Sequence, residues 1–133
     1  GDYKDGHGSH VSGSLAGKCA YESDNDAHNN VRGMSSGAKI AFFDMGMDDS
    51  SHDLVLPDDI GSGIFEPSYM AGARLHSNSW GGGFVYDAFT IDTDRFLYEK
   101  GDFLVFFAAG NGGGSGLRTV VSPALSKNAV AVA

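Results

Sequence analysis

Cysteine is nearly absent from this chain of 133 residues, in which Cys19 is the single example. A disulfide bond within the chain is therefore excluded, as are metal sites built from pairs of cysteines. Long hydrophobic runs are also missing, and no segment reaches the roughly 18 apolar residues of a membrane-spanning helix. Basic residues are scarce, since 9 lysines and arginines stand against 17 aspartates and glutamates, a formal net charge of −8. Because phosphate binding needs a basic stripe, we expect no nucleic-acid partner.

The remaining composition is that of a globular protein. Hydrophobic residues make up 41% of the chain and charged residues 20%, which argues against a disordered or fibrous class. A chain of this length can bury the core of one domain. Glycine is abundant and clusters after apolar runs, at 81–83 and 110–116, where tight turns or close backbone contacts require it.

Four segments predict β-strands. They are 38–43, 74–80, 103–109 and 129–133. The first is almost continuously apolar, which is typical of a strand buried on both faces. The third is rich in aromatic and β-branched residues and ends at Gly110, which makes it the strongest strand signal of the chain.

Helical periodicity accompanies these strands. Helices are predicted within 86–100 with a stop at Gly101, within 59–72 with Pro67 at a break or a first turn, and from His7 or Gly8 to about Ala16 with Gly17 as the cap. The alternation of strands and helices predicts an α/β fold, a parallel sheet flanked by helices.

Polar or small residues follow three of the predicted strands. They are Asp44, the pair at 80–81, and Asn111. Because ligands bind open α/β sheets at the carboxyl ends of the strands, we expect the functional site at this edge.

The string HGSHVSG at 7–13 contains two histidines three residues apart. On a helix, His7 and His10 share a face. One interpretation is a general base for catalysis, because an imidazole exchanges protons near neutral pH. Zinc binding is an alternative, but it needs a third ligand that the sequence does not offer at a convincing spacing. Two surface histidines near a helix start are the third interpretation.

Asn111 follows Ala108-Ala109-Gly110 and precedes Gly112. Its carboxamide could donate a hydrogen bond to an oxyanion that develops during a reaction. An asparagine in a glycine-rich turn is otherwise most often a turn former. A phosphate cradle is disfavoured, because the glycines lack the Gly-x-Gly-x-x-Gly register and no Gly-Lys-Ser/Thr follows.

The histidine string and the later Ala-Ala-Gly-Asn string together resemble the active site of the subtilisin-like serine proteases, the subtilase family. The resemblance implies that family's three-layer fold and a serine endopeptidase that hydrolyses peptide bonds by acyl transfer with a Ser-His-Asp triad. It implies that His7 is the general base, that Asn111 is the oxyanion donor, and that His10 is a structural support.

The segment 77–82 resembles the family's strand that lines the primary specificity pocket and pairs with an extended polypeptide substrate. The resemblance implies two substrate walls. One wall is Ser79, Trp80 and Gly81, and the other is Ala108, Ala109 and Gly110. A plain core aromatic is the alternative for Trp80.

The resemblance covers 6–133, but two of the family's motifs are not found. Its aspartate precedes the histidine string, and its serine lies in a Gly-Thr-Ser-Met-Ala-like string after the asparagine. Asp2 and Asp5 stand very close to His7 and are interpreted as loop carboxylates. We therefore expect 1–133 to be a partial peptidase domain, incomplete at both ends, that alone neither hydrolyses peptides nor folds stably.

Two other functions fit parts of the pattern: a non-catalytic subtilase-like domain kept for binding, and a nucleotide-binding α/β domain. The protease chemistry needs no cofactor. Structural calcium is an alternative to a solvated loop in the acidic linker, since carboxylates suit that ion. The carboxylates concerned are Asp44, Asp48, Asp49 and Asp58. The resemblance favours a secreted or endomembrane compartment.

Overall fold

The computed structural model describes residues 6–19, 31–47 and 53–133. Its contacts divide the chain into two compact units, Gly1–Val55 and Leu56–Ala133.

The first unit contains helix α1, His7–Ala16, as the sequence predicts. Its last turn is closed by backbone N–H groups from residues 33–35. Those of Gly33, Met34 and Ser35 donate to the carbonyl oxygens of Gly17, Ser14 and Leu15 at 2.8, 3.0 and 2.7 Å. A Cβ at Gly33 would lie 2.6 Å from the carbonyl oxygen of Gly13. Glycine is therefore required at position 33, because the chain touches the helix end there and satisfies its carbonyls.

The prediction of a first strand at 38–43 is wrong. These residues form no strand and are exposed, with 63% of Phe42 and 48% of Ile40 accessible to solvent. An apolar run makes a strand only where another backbone pairs with it, and no described residue does so. Backbone pairing in this unit's described part appears further on, in an antiparallel bridge between Gly46 and Leu54.

The second unit follows the predicted alternation of helices and strands. It contains a π-helical turn at Gly61–Phe65 that continues into α2 at Glu66–Met70, then β1 at Leu75–Asn78, α3 at Ala88–Glu99, β2 at Leu104–Ala108, a short 3₁₀ turn at Gly113–Ser115 and β3 at Val130–Val132. Pro67 lies in the first turn of α2, where its missing N–H costs nothing.

The three strands form one parallel sheet in the order β1-β2-β3. Leu75 lies opposite Leu104, and Phe106 lies opposite Val130. The α/β fold class is confirmed, with β2 as the central strand of the described sheet.

The core lies between one face of this sheet and the helical elements. Val105 and Phe107 alternate along β2 as fully buried residues, as expected for one face of a strand. Phe65 lies at the centre, with its ring 6.5 Å from that of Phe107 and 5.6 Å from that of Phe96. Tilted and edge-on contacts of this kind add to the stabilisation that comes from burying the aromatic rings.

Helix α3 begins at a side-chain cap. The carboxylate of Asp87 accepts the backbone N–H of Thr90 at 3.1 Å, which satisfies one of the free donors of the first turn. The helix ends at Glu99, two residues before the predicted stop at Gly101.

Candidate functional site

The carboxyl ends of β1 and β2 lie side by side. Asn78, the last residue of β1, is opposite Phe107. Since the strands are parallel, the segments that leave them, 79–81 and 108–110, depart from the same edge. The structure thus brings together the two sets of residues that the sequence assigns to substrate walls.

A segment outside the predicted helices and strands, 119–122, packs against both strand ends. The N–H of Val121 donates to the carbonyl of Ala109 at 3.1 Å, the N–H of Gly82 donates to the carbonyl of Ser122 at 2.9 Å, and the N–H of Ser122 donates to the carbonyl of Gly83 at 3.1 Å. The first bond joins residues 12 positions apart and the other two join residues about 40 apart, and no local motif indicates them.

The glycines at this edge make room for that segment. A Cβ at Gly81 would lie 2.6 Å from the carbonyl oxygen of Ser122. Gly110 has φ +105°, and a Cβ there would lie 3.1 Å from the side chain of Val121. The sequence signal for close backbone contact, a glycine after each strand, was therefore correct.

Asn111 is exposed directly after this turn. It follows the central strand by three residues, and Ala108 and Ala109 before it are half-buried. A carboxamide at this position is open to solvent and to any molecule bound along the edge.

Trp80 is half-buried. Its indole ring meets the buried ring of Phe107 edge-on, with 5.7 Å between centroids. One side of the ring therefore belongs to the core, and the rest is accessible.

The two histidines of the sequence motif lie on the first unit. His7 is the first residue of α1, and both His7 and His10 are exposed. The N–H of His10 donates to the carbonyl of Gly6 at 2.8 Å, which closes the first turn. The chain reaches that turn through Gly6 in the left-handed conformation, with φ 60°.

Of the acidic residues named from the sequence, Asp44 and Asp58 lie among the described residues. Asp2, Asp5, Asp48 and Asp49 lie outside the described residues. Among residues 6–19, 31–47 and 53–133, no group of three or more His, Cys, Asp or Glu side chains is arranged to hold a metal ion. Asp44 accepts the backbone N–H of Gly46 at 3.0 Å, and this bond is the main cause that lowers the pKa of its carboxyl.

A hydrogen-bonded cluster connects α3 to the segment behind the strand ends. The hydroxyl of Ser122 donates to Asp87 at 2.5 Å, that of Thr90 donates to Asp87 at 3.1 Å, and the two hydroxyls lie 3.0 Å apart. Burial raises the pKa of Asp87, but these bonds outweigh it and the net shift is downward. An Asp three residues before a Thr at a helix start is a capping signal that the sequence offered.

A second buried carboxylate, Asp94, connects α3 to the chain before β3. It accepts from the hydroxyl of Ser126 at 2.5 Å, from the N–H of Asn128 at 2.8 Å, and from the hydroxyl of Tyr86. Burial raises its pKa, and the hydrogen bonds, led by that from Ser126, lower it overall. No sequence motif marked this cluster, because its partners come from separate segments.

None of the helices in the described part of the chain combines the length and apolarity needed to cross a membrane.

Comparison with known proteins relates the whole chain to one family. The family model described as "Subtilase family" matches residues 1–133. The chain is 42% identical to the serine protease/ABC transporter B family protein tagD of Dictyostelium discoideum over 98% of its length, and 39% identical to the protein tagB of the same description and organism over 98%. It spans about 7% of the length of each of these relatives. No solved structure matches it.

Proposed function

We propose, because this chain belongs to the subtilase family, that the protein is a serine endopeptidase in which His7 is the general base and Asn111 is the oxyanion donor. We assign no residue of this chain to the nucleophile or to the aspartate that orients the base. The relatives tagD and tagB are themselves described as serine proteases, which supports the assignment.

One observation carries the proposal. Asn111 is exposed at the carboxyl end of the central strand of a parallel sheet, beside the strand-end segments 79–81 and 108–110. Crevices at such edges bind ligands. An extended peptide lying along these segments would place a carbonyl group within reach of the Asn111 carboxamide.

The proposed chemistry uses His7 twice. The imidazole takes the proton of a serine hydroxyl while the serine oxygen attacks the peptide carbonyl carbon, and the resulting oxyanion accepts a hydrogen bond from Asn111. When the carbon–nitrogen bond breaks, His7 returns the proton to the leaving amine. Water then hydrolyses the acyl-enzyme by the same two transfers.

The substrate is proposed to be an extended polypeptide. We assign its recognition to Ser79, Trp80 and Gly81 on one wall and to Ala108, Ala109 and Gly110 on the other, the residues at the adjoining ends of two parallel strands. Backbone contacts of a peptide with such a strand end supply affinity, and side-chain pockets supply specificity.

Substituting the proposed base tests the function. In the full-length natural protein, we expect His7→Ala to lower kcat for a peptide substrate by several orders of magnitude, because the members of a triad act as a unit. Ser14→Ala, at an exposed position of the same helix, is the matched control and should be fully active.

Labelling with a fluorophosphonate probe distinguishes the function from non-catalytic binding. We expect the wild-type protein to react at one serine and His7→Ala to react far more slowly. Peptide binding without any labelling would instead identify a binding domain that performs no catalysis.

A further inference from the structure

The side chains of His76 and Asn78 in β1, and of Trp80 just after it, lie on one face of the strand. They are two residues apart, the spacing at which strand side chains share a face. Leu75 and Ser77 belong to the opposite face and are exposed, with 67% of Leu75 accessible to solvent. His76 and Asn78 therefore lie inside the unit, directly behind the residue that reaches the site.

The hydrogen bonds among these side chains have one consistent direction. An indole N–H can only donate, so the contact of 3.0 Å from Trp80 Nε1 fixes Asn78 Oδ1 as the acceptor. The amide nitrogen of Asn78 then faces two acceptors, the carbonyl of Phe106 at 3.2 Å and His76 Nδ1 at 3.0 Å. His76 Nδ1 must accept, and the ring proton resides on Nε2.

The surroundings keep His76 neutral, as this arrangement requires. Its ring meets the edge of Phe65 at 5.2 Å and lies 6.1 Å from Phe103. Burial lowers the pKa of His76 from 6.5 to about 4. The Asn78 amide nitrogen faces Nδ1, and an N–H donated to that nitrogen stabilises the neutral ring, so this orientation opposes protonation of Nδ1.

Asn78 is 4% exposed and has all of its polar atoms engaged. It bonds to the backbone of β2 as well as to its two neighbours on the strand. Trp80 is held on one side by Asn78 and on the other by the edge-on contact with Phe107. The half of the indole that remains accessible therefore has a fixed orientation.

We propose that Asn78 and His76 are positioning residues for Trp80, and that they set the shape of the substrate wall formed by Ser79, Trp80 and Gly81. This inference rests on the proposed protease function. Asn78 acts through the indole hydrogen bond, and His76 acts one step further back by accepting from the Asn78 amide and holding its oxygen toward Trp80.

The test separates peptide recognition from general activity in the full-length natural protein. We expect Asn78→Leu to raise KM for an extended peptide about fivefold to tenfold, on the order of one lost hydrogen bond, while hydrolysis of the small ester p-nitrophenyl acetate changes less than about twofold. The ester is too small to reach the wall. Tyr98→Phe, on α3 with 85% of the side chain exposed, is the control and should alter neither substrate.

A spectroscopic readout follows Trp80 itself. In protein labelled with 5-fluorotryptophan, Trp80 gives the resonance that Trp80→Phe removes, and Asn78→Leu should shift it. In the Trp80→Phe background, Asn78→Leu should cause no further rise in KM, because the residue through which Asn78 acts has already lost its donor.

His76→Phe keeps the proposal testable where Asn78→Leu does not fold, because a phenyl ring suits the aromatic surroundings of His76. It removes the Nδ1 acceptor that holds the Asn78 amide, so we expect a shifted Trp80 resonance and a KM for the peptide about twofold to fivefold above that of the wild type, with ester hydrolysis changed less than about twofold. An unmoved resonance in His76→Phe, or equal losses on peptide and ester in Asn78→Leu, would overturn the positioning role. A wild-type protein that hydrolyses neither substrate would overturn the protease function and with it the wall.

Discussion

Gly110 sets the direction in which the chain leaves the central strand. Its φ of +105° lies in the region that side chains other than glycine rarely adopt, and Val121 fills the space beside it. The position of Asn111 at the sheet edge is therefore set by Gly110 and Val121, neither of which carries a reactive group. The functional role proposed for Asn111 depends on this local geometry.

Asn111→Ala should lower kcat by about 10² to 10³ with a much smaller change in KM, because the oxyanion forms only in the transition state. Steady-state kinetics with a peptide substrate measure both parameters. Asn128→Ala, which removes an asparagine away from the edge, should leave kcat within a few-fold. An effect of Asn111→Ala confined to KM would make this residue a substrate contact.

His76 gives stability a pH dependence. Its pKa is about 4 in the fold against 6.5 for a free imidazole, so the unfolded chain binds more protons between these values. The contribution of His76 to the free energy of unfolding should therefore be complete above pH 6.5. It should fall by no more than about 3 kcal/mol as the pH drops to about 4. Denaturant titrations at pH 7 and pH 4.5 measure this difference.

His76→Gln, which keeps an acceptor for Asn78, should lose most of that dependence. Carboxylates with shifted pKa values, namely Asp87, Asp92 and Asp94, are present in both proteins, so their acid titration affects both alike. Equal losses of stability in wild type and variant would show that His76 is not the group responsible.

At the scale of elements, side chains of α3 and its N-cap bind the segment 122–128 near both ends of that segment. Asp87 at its start binds Ser122, and Asp94 in its middle binds Ser126 and the backbone of Asn128. The bond from Ser126 is buried and the other two are partly buried, and all three are accepted by a carboxylate, which makes them stronger than ordinary hydrogen bonds. The helix and residues 122–128 should therefore be stabilised together.

Asp87→Ala should lower the free energy of unfolding by about 1 to 3 kcal/mol, because it removes the helix cap and leaves the buried hydroxyl of Ser122 without its acceptor. Asp87→Asn retains a capping oxygen and should cost less. Chemical denaturation of both variants provides the measurement. A loss no larger for alanine than for asparagine would show that the cap and the bond to Ser122 add nothing.

Elements with a strong local signal could be predicted from the sequence. The apolar run of β2, the stop before Gly101 and the helix start at His7 all reflect the residues within each segment. The apolar run at 38–43 gave a wrong strand prediction, because pairing with another backbone decides whether an apolar stretch becomes a strand. The Asp87, Asp94 and Asn78 networks, and the packing of 119–122, depend on residues far apart in sequence, and periodicity carries no information about such contacts.

At the scale of the whole molecule, the chain comprises two units with different contents. Unit Gly1–Val55 holds the proposed base, and unit Leu56–Ala133 holds the parallel sheet, the aromatic core and the proposed oxyanion donor. Family membership spans both. Every residue to which we assign a catalytic role is a base or a hydrogen-bond donor, and none is a nucleophile.

The 133-residue chain by itself should therefore hydrolyse no peptide above background and should react with no fluorophosphonate. Mass spectrometry of the purified chain after probe treatment is the measurement, with the full-length natural protein as the positive control. Stoichiometric labelling of Ser79, Ser122 or any other serine of the chain would place the nucleophile within it and contradict our assignment.

The anchoring of Ser122 has a consequence for local opening motions. Its backbone pairs with Gly82 and Gly83, its neighbour Val121 pairs with Ala109, and its hydroxyl binds the cap of α3. Neither strand exit can separate from this residue without disturbing the first turn of the helix. The strand exits and that turn should accordingly open as one cooperative unit, in which the amide protons of Gly82, Val121 and Thr90 exchange with solvent at similar free energies.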